Sequence, residues 1–223
     1  MNRTKTVFIL SAFLSAAWGA GAAIAQDAAD DHQHHHEQGA NGQDDHDHAP
    51  PKKSSAYEVS TANYAMPKIA LTDQNGQKVR FDHLLTEDRP TLVQFIFTSC
   101  TTICPVMGAV FGGAQEEIAA VAPNYRMISI SIDPEYDTPE KLREFALKQN
   151  AQPDWVFLTG STGDVATVAK SFDALYQGDN KMYHQPFTFI RWRKDGEWVR
   201  IRGLLSVADL VTEFSSARKV EAP

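Results

Sequence analysis

Two largely apolar runs, separated by a helix-like segment, form the most regular pattern in this chain. Residues 91–97 and 125–132 are rich in β-branched and aromatic side chains, which is typical of strands buried on both faces of a sheet. Between them, residues 105–121 are predicted to form a helix, because Pro105 suits its first turn. The order strand, helix, strand predicts a parallel pair joined by a crossover.

The second half of the chain continues the alternation of strands and helices. Thr138 and Pro139 supply a cap and a first-turn proline for a helix that should end near Gln149. The turn 194–196 separates two β-rich runs and predicts an antiparallel hairpin. The other predicted elements are strands at 78–81 and 155–158, helices at 163–175 and 206–217, and hairpin strands at 186–192 and 197–201. Together they predict an α/β fold with a thioredoxin-like mixed β-sheet, flanked by helices on both faces.

The N-terminal segment has the pattern of a secretory signal. Arg3 and Lys5 precede an apolar run over 7–23, and the segment closes with an Ala-x-Ala pattern at 23–25. We therefore predict a signal peptide over 1–25 and a periplasmic location for the remainder. The alternative is an uncleaved anchor in the inner membrane, because the apolar run approaches the roughly 17–20 residues that span a bilayer.

Residues 26–56 are polar and acidic, with no apolar periodicity, so we predict a disordered tail and linker. Histidines interleaved with acids suit divalent copper, zinc or nickel, and the alternative is a merely solvated tail. The histidines are His32, His34, His35, His36, His46 and His48. The domain that carries the chemistry should then span 57–223.

Charge argues against a nucleic-acid partner. The 223-residue chain has a formal net charge of −7, and it has no basic stripe that could neutralise phosphates.

The two cysteines of the chain, Cys100 and Cys104, stand four residues apart between the buried strand 91–97 and the start of the next helix. That spacing allows a disulfide, and it also allows both thiolates to bind one ion. Thiolates are soft ligands that favour copper(I) and zinc, and a helix N-terminus lowers thiol pKa values. A purely structural disulfide is disfavoured, because closing so short a loop stabilises little.

A third ligand would come from the two histidines outside the tail. His184 directly precedes a hairpin strand that should lie beside the cysteine loop, whereas His83 precedes the central strand, so we favour His184. Met107, one helical turn after Cys104, is interpreted as a core residue rather than a thioether ligand. Asp133 either tunes the site or merely forms a turn before its proline.

The cysteine motif Phe97-Thr-Ser-Cys-Thr-Thr-Ile-Cys-Pro, the segment 130–139 with its Asp-Pro-Glu-Tyr-Asp-Thr-Pro sequence, and His184 together resemble the Sco/SenC family of copper chaperones. The resemblance covers about residues 60–215. It implies a thioredoxin fold and one copper site formed by Cys100, Cys104 and His184. Two departures lie around the histidine: Tyr183 replaces the usual acid before it, and Pro186 interrupts the usually apolar segment after it, with its peptide isomer open.

The resemblance implies a chaperone that delivers copper to the dinuclear copper site of cytochrome c oxidase. Its partners would be the copper-bearing oxidase subunit or another copper chaperone. The first alternative is a thiol–disulfide oxidoreductase that keeps the cysteines of that client reduced, using Cys100 and Cys104 as redox residues. The second, a peroxidase, is the least favoured, because no nearby arginine is evident that would activate a peroxidatic thiolate.

Overall fold

The computed structural model describes residues 57–176, 178 and 180–220, and the strands of this part of the chain form one mixed sheet. The strands are β1 Tyr57–Ala62, β2 Ala70–Asp73, β3 Lys78–Arg80, β4 Thr91–Ile96, β5 Arg126–Ser131, β6 Trp155–Thr159, β7 Phe187–Arg191 and β8 Trp198–Gly203. Their order across the sheet is β1-β8-β7-β4-β5-β6-β2-β3.

Five helices and one 3-10 turn connect these strands within the described residues. The helices are α1 Phe81–Leu84, α2 Ile103–Val121, α3 Pro139–Lys148, α4 Thr162–Ser171 and α5 Val207–Ala217, and the 3-10 turn is Lys181–Tyr183. None of these helices has both the length and the apolar character needed to cross a bilayer. The predicted signal peptide and tail lie outside the described residues.

Strands β4, β5 and β6 form the parallel centre of the sheet, as the two apolar runs predict. Every residue of β4 and β5 is buried, and Phe95 lies opposite Ile130 in the register. The hairpin β7–β8 adds antiparallel strands on the other side of β4. The predicted mixed sheet is therefore confirmed.

Aromatic side chains cover both faces of this sheet. On one face, Trp155 stacks on Phe157 with ring centroids 4.8 Å apart, and Phe111 of α2 packs against Trp155. On the other face, Phe172, which follows α4, packs against Phe95 and Phe189. Helices therefore cover both faces of the sheet, as predicted, and each face buries its own aromatic cluster beneath them.

Several boundaries differ from the sequence prediction. The predicted helix 163–175 ends at Ser171, and Asp173, with φ of +50°, turns the chain in the left-handed region. Strands β1 and β2 were not predicted; β1 is a largely exposed edge strand, so its sequence lacks an apolar face. The peptide bond before Pro186 is trans.

Close packing of α2 on the end of α3 depends on a glycine. A Cβ placed on Gly112 would lie 2.5 Å from the backbone oxygen of Gln149, whereas a Cβ on Gly163 of α4 would meet nothing within 4 Å. Because α2 carries Cys104, this contact also helps to fix one of the two thiols.

We expect Gly112→Ala to lower the free energy of unfolding by about 1–3 kcal/mol, because backbone atoms must shift to relieve the clash. Gly163→Ala is the matched control and should raise stability by about 0.5 kcal/mol through the unfolded chain. Urea unfolding of the two variants measures both changes. Equal effects of the two substitutions would contradict this account of the α2–α3 contact.

Candidate functional site at the carboxyl edge of the sheet

Both cysteines lie at the connection between β4 and α2. The strand ends at Ile96, Cys100 follows in the loop, and Cys104 is the second residue of the helix. Cys100 is 5% exposed and Cys104 is fully buried, and both are free thiols. The predicted placement at the carboxyl end of a central strand is confirmed.

The thiol of Cys100 is the more acidic of the two. Burial alone would raise its pKa, but the backbone N–H of Cys104, which lies 3.4 Å from Cys100 Sγ, and the Thr102 backbone and hydroxyl groups outweigh burial and lower the pKa. The Thr102 hydroxyl oxygen is 3.6 Å from the same sulfur. Cys100 is therefore the group that forms a thiolate first.

The thiol of Cys104 behaves in the opposite way. Burial strongly raises its pKa, and the neighbouring Cys100 and the carboxylate of Asp137 add to that shift. A buried sulfur with this environment stays protonated until a positive charge compensates for the loss of its proton. The two sulfurs are close in space yet differ sharply in their readiness to ionise.

His184 follows the 3-10 turn and is only 3% exposed. Neither ring nitrogen, Nδ1 or Nε2, has a hydrogen-bond partner. Burial lowers the pKa of His184 to about 4, so the imidazole is neutral at pH 7. A neutral, unpartnered imidazole has a free lone pair, which is what a metal ligand requires.

A buried carboxylate, Asp137, holds the start of the cysteine loop. It accepts hydrogen bonds from the Thr98 backbone at 3.0 Å, from the Thr98 hydroxyl and from the Ser131 hydroxyl at 2.6 Å. Thr98 stands two residues before Cys100, and Ser131 ends β5. Sequence reasoning did not single out Asp137, although it lies in the Asp-Pro motif.

Asp133 forms an ion pair with Lys181, the first residue of the 3-10 turn. The same ammonium group lies 5.4 Å from the centroid of the Phe97 ring, which leads into the cysteine loop. Asp133 also forms a turn, because its carbonyl accepts the Asp137 N–H at 2.8 Å. The structure therefore supports both interpretations of Asp133: it forms a turn, and its side chain has a specific partner in Lys181. Sequence reasoning missed Lys181, because nothing local marks a contact 48 residues away.

The structure brings together some of the predicted site residues. Cys100 and Cys104 are in contact, and the contacts of Lys181 place the segment before His184 against the same end of the sheet. Among the described residues, no group of three His, Cys, Asp or Glu side chains is gathered closely enough to hold a metal. The three-ligand set therefore stays a prediction. Met107 is buried in α2, and His83 is exposed in α1.

Comparison with known proteins agrees with the family resemblance seen in the sequence. The SCO1/SenC family model matches residues 58–208. A SCO1 protein homolog of Bacillus subtilis is 37% identical over 129 residues, which cover 55% of this chain and 66% of that protein, just under two thirds of its length.

Two solved structures share the fold. BsSco, a member of the Sco family of cytochrome c oxidase assembly proteins in which a disulfide switch was identified, is 30% identical with a TM-score of 0.59, over 73% of this chain and 98% of that one. Arabidopsis thaliana ScoI with copper bound is 22% identical with a TM-score of 0.58, over 69% of this chain and 98% of that one.

The unequal thiols lead to a testable order of reaction. In the native, reduced protein, we expect iodoacetamide to modify Cys100 at least about tenfold faster than Cys104, because each unit of pKa changes the thiolate fraction tenfold. The rate at Cys100 should rise with pH and level off below the ordinary thiol pKa. Peptide mapping by mass spectrometry measures both sites, and faster modification of Cys104 would contradict the assignment.

The buried imidazole predicts a pH-dependent stability in the metal-free protein. The pKa of about 4 in the folded state lies below the unfolded value of 6.5, so this contribution is complete above pH 6.5 and is lost as the pH falls toward 4. Relative to His184→Leu, wild type should lose up to about 3 kcal/mol between pH 7 and pH 4. Urea unfolding at several pH values tests this, and parallel pH profiles of the two proteins would contradict it.

Proposed function

This chain belongs to the SCO1/SenC family, and we propose that it is a copper chaperone that binds copper through Cys100, Cys104 and His184 and delivers it to the dinuclear copper site of cytochrome c oxidase. The family match and the likeness to BsSco support a role in oxidase assembly. The donors support copper, because two thiols and an imidazole suit a soft ion.

The observation that carries this proposal is the state of His184. Leaving both nitrogens of a buried imidazole without partners is costly, because water would satisfy them in the unfolded chain. Folded proteins rarely leave buried polar groups unpaired, and such exceptions are often explained by a functional role. A buried imidazole that is kept neutral and unpaired fits a ligand that is held ready for its metal.

Each residue then has a distinct task in binding. Cys100 meets the incoming ion, because its thiolate forms most readily and it is the more exposed of the two residues. Cys104 gives up its proton only when the ion supplies a compensating charge, so binding releases protons. His184 would complete the set once its segment moves to the thiols, and a docked partner would remove the ion by exchanging these ligands one at a time.

The second candidate is a thiol–disulfide oxidoreductase that keeps the client's cysteines reduced. The Cys100 thiolate would attack a client disulfide and release one client thiol, and Cys104 would then attack the mixed disulfide, leaving the client reduced and this pair oxidised. The low pKa of Cys100 favours the first step. The raised pKa of Cys104 slows the second, because the thiolate is the attacking species, so the chaperone role fits the pair better.

The N-terminal segment supports an exported location. We propose that the protein works in the periplasm, either freed by cleavage after residue 25 or tethered to the inner membrane by the uncleaved segment. The histidines of the tail would add a local, weaker store of copper ions near the domain. The partners would then be the copper-bearing oxidase subunit or another copper chaperone in the same compartment.

Copper(I) affinity, measured anaerobically against a competing chelator, tests the proposal. The protein is the full chain with the six tail histidines replaced by alanine, so that only the domain binds. We expect tight one-to-one binding, loss of binding in the Cys100→Ser/Cys104→Ser variant, and a weakening of at least about tenfold, or about 1.4 kcal/mol, in His184→Leu.

His83→Leu is the control for removing a histidine from the domain and should bind as tightly as the parent. Binding that is weak, or that is indifferent to His184, would reject the three-ligand site. If His184→Leu also keeps the full rate of thiol–disulfide exchange with a model disulfide, the oxidoreductase becomes the better description.

A further inference from the structure

We propose that Lys181 is a positioning residue that holds the His184 segment against the cysteine loop by pairing with Asp133. The proposal rests on the proposed function, since it names the residue that keeps the third ligand within reach of the two thiols. Lys181 does not touch the ion. It acts through His184, three residues further along the chain.

The contact is partly shielded from water, which makes it stronger than an ordinary surface pair. The Asp133 side chain is 13% exposed and that of Lys181 is 35% exposed. The Lys181 ammonium also faces the ring of Phe97, the residue after β4, so it lies against the start of the cysteine loop as well as the loop after β5. Ion pairs in such surroundings are screened less by salt than exposed ones.

The link from Lys181 to His184 is short and stiff. The two residues are joined through one 3-10 turn, in which the His184 N–H donates to the Lys181 carbonyl at 3.0 Å. The Asn180 side chain caps this turn by accepting the Met182 N–H at 2.9 Å. Fixing the Lys181 ammonium therefore fixes the backbone that carries the imidazole.

Among the described residues, few other polar contacts join this turn to the sheet. Met182 is 51% exposed and Tyr183 is 66% exposed, so neither anchors the segment in the core. His184 is buried, but its ring makes no hydrogen bond that would orient it. Within the described part of the chain, the pairing of Lys181 with Asp133 is thus the main polar contact that ties the turn to the sheet.

Asp133 stands on the same short loop as Asp137. Asp137 holds Thr98 at the start of the cysteine loop, and Asp133 holds Lys181 at the start of the histidine segment. The Ser131 hydroxyl donates to Asp137 and accepts the N–H of Asp133 at 3.0 Å, so the two carboxylate residues are connected. One loop therefore sets the separation between the thiols and the imidazole.

The first test uses the metal-free full chain and the reaction of histidines with diethyl pyrocarbonate, mapped by mass spectrometry. Exposed His83 is the internal reference. We expect Lys181→Gln and Asp133→Asn to speed modification of His184 at least fivefold, while Lys181→Arg stays within twofold of wild type. Lys170→Gln removes the same charge from an exposed position of α4 and should change nothing.

The second test is a double-mutant cycle on copper(I) affinity. Lys181→Gln should weaken binding at least threefold in the parent, and the effect should disappear when His184→Leu is already present. A loss of equal size in both backgrounds would overturn the proposal, because Lys181 would then act without His184. Unchanged reactivity of His184 in Lys181→Gln would overturn it as well.

The two tests separate this proposal from the proposed function. If the wild-type protein binds no copper, the chaperone role fails, but the metal-free reaction still decides whether Lys181 positions His184. Thermal unfolding of each variant shows whether the fold is kept. A general loss of folding would speed modification at many sites, whereas the expected change is confined to His184.

Discussion

The geometry of the site depends on one buried carboxylate, Asp137. It joins the ends of the two central parallel strands, because Thr98 beyond β4 and Ser131 at the end of β5 both donate to it. A buried carboxylate is tolerated only when such donors surround it, and these donors come from the segments that must stay aligned. The sheet supplies two strand ends, and Asp137 fixes them to each other. These hydrogen bonds of Asp137 therefore fix the position of the cysteine loop, which begins at Thr98.

Much of this framework could be predicted from the sequence, because local rules decide it. The apolar runs became β4 and β5, and Thr138 caps α3 as expected. Strand β1 was not predicted, because it forms by pairing with β8 and its sequence lacks the alternating apolar pattern that marks a half-buried strand. Lys181 was missed for a related reason: its pairing with Asp133 is a long-range contact that no spacing encodes. The residues that bear the chemistry were visible in the sequence, but most of the residues that orient them were not.

Cys104 and His184 share one property, which is that their polar groups gain little stabilisation from their surroundings in the metal-free state. Cys104 stays protonated in an apolar site, and His184 has no partner for either nitrogen. An ion that binds such a site satisfies groups that are unpaired in the metal-free protein, and it stabilises the folded state when it binds. Cys100 differs, because the hydrogen bonds to its sulfur favour the thiolate and make it the first of the two sulfurs ready to bind an ion.

The edges of the sheet have a consequence for how the protein meets others of its kind. One edge is β3, which is three residues long and begins and ends with the charged Lys78 and Arg80, and the other is β1, which carries Glu58. Short, charged edge strands resist the strand-to-strand addition through which sheets aggregate. The addition of further copies of the chain, strand to strand, is therefore opposed along both borders of the sheet.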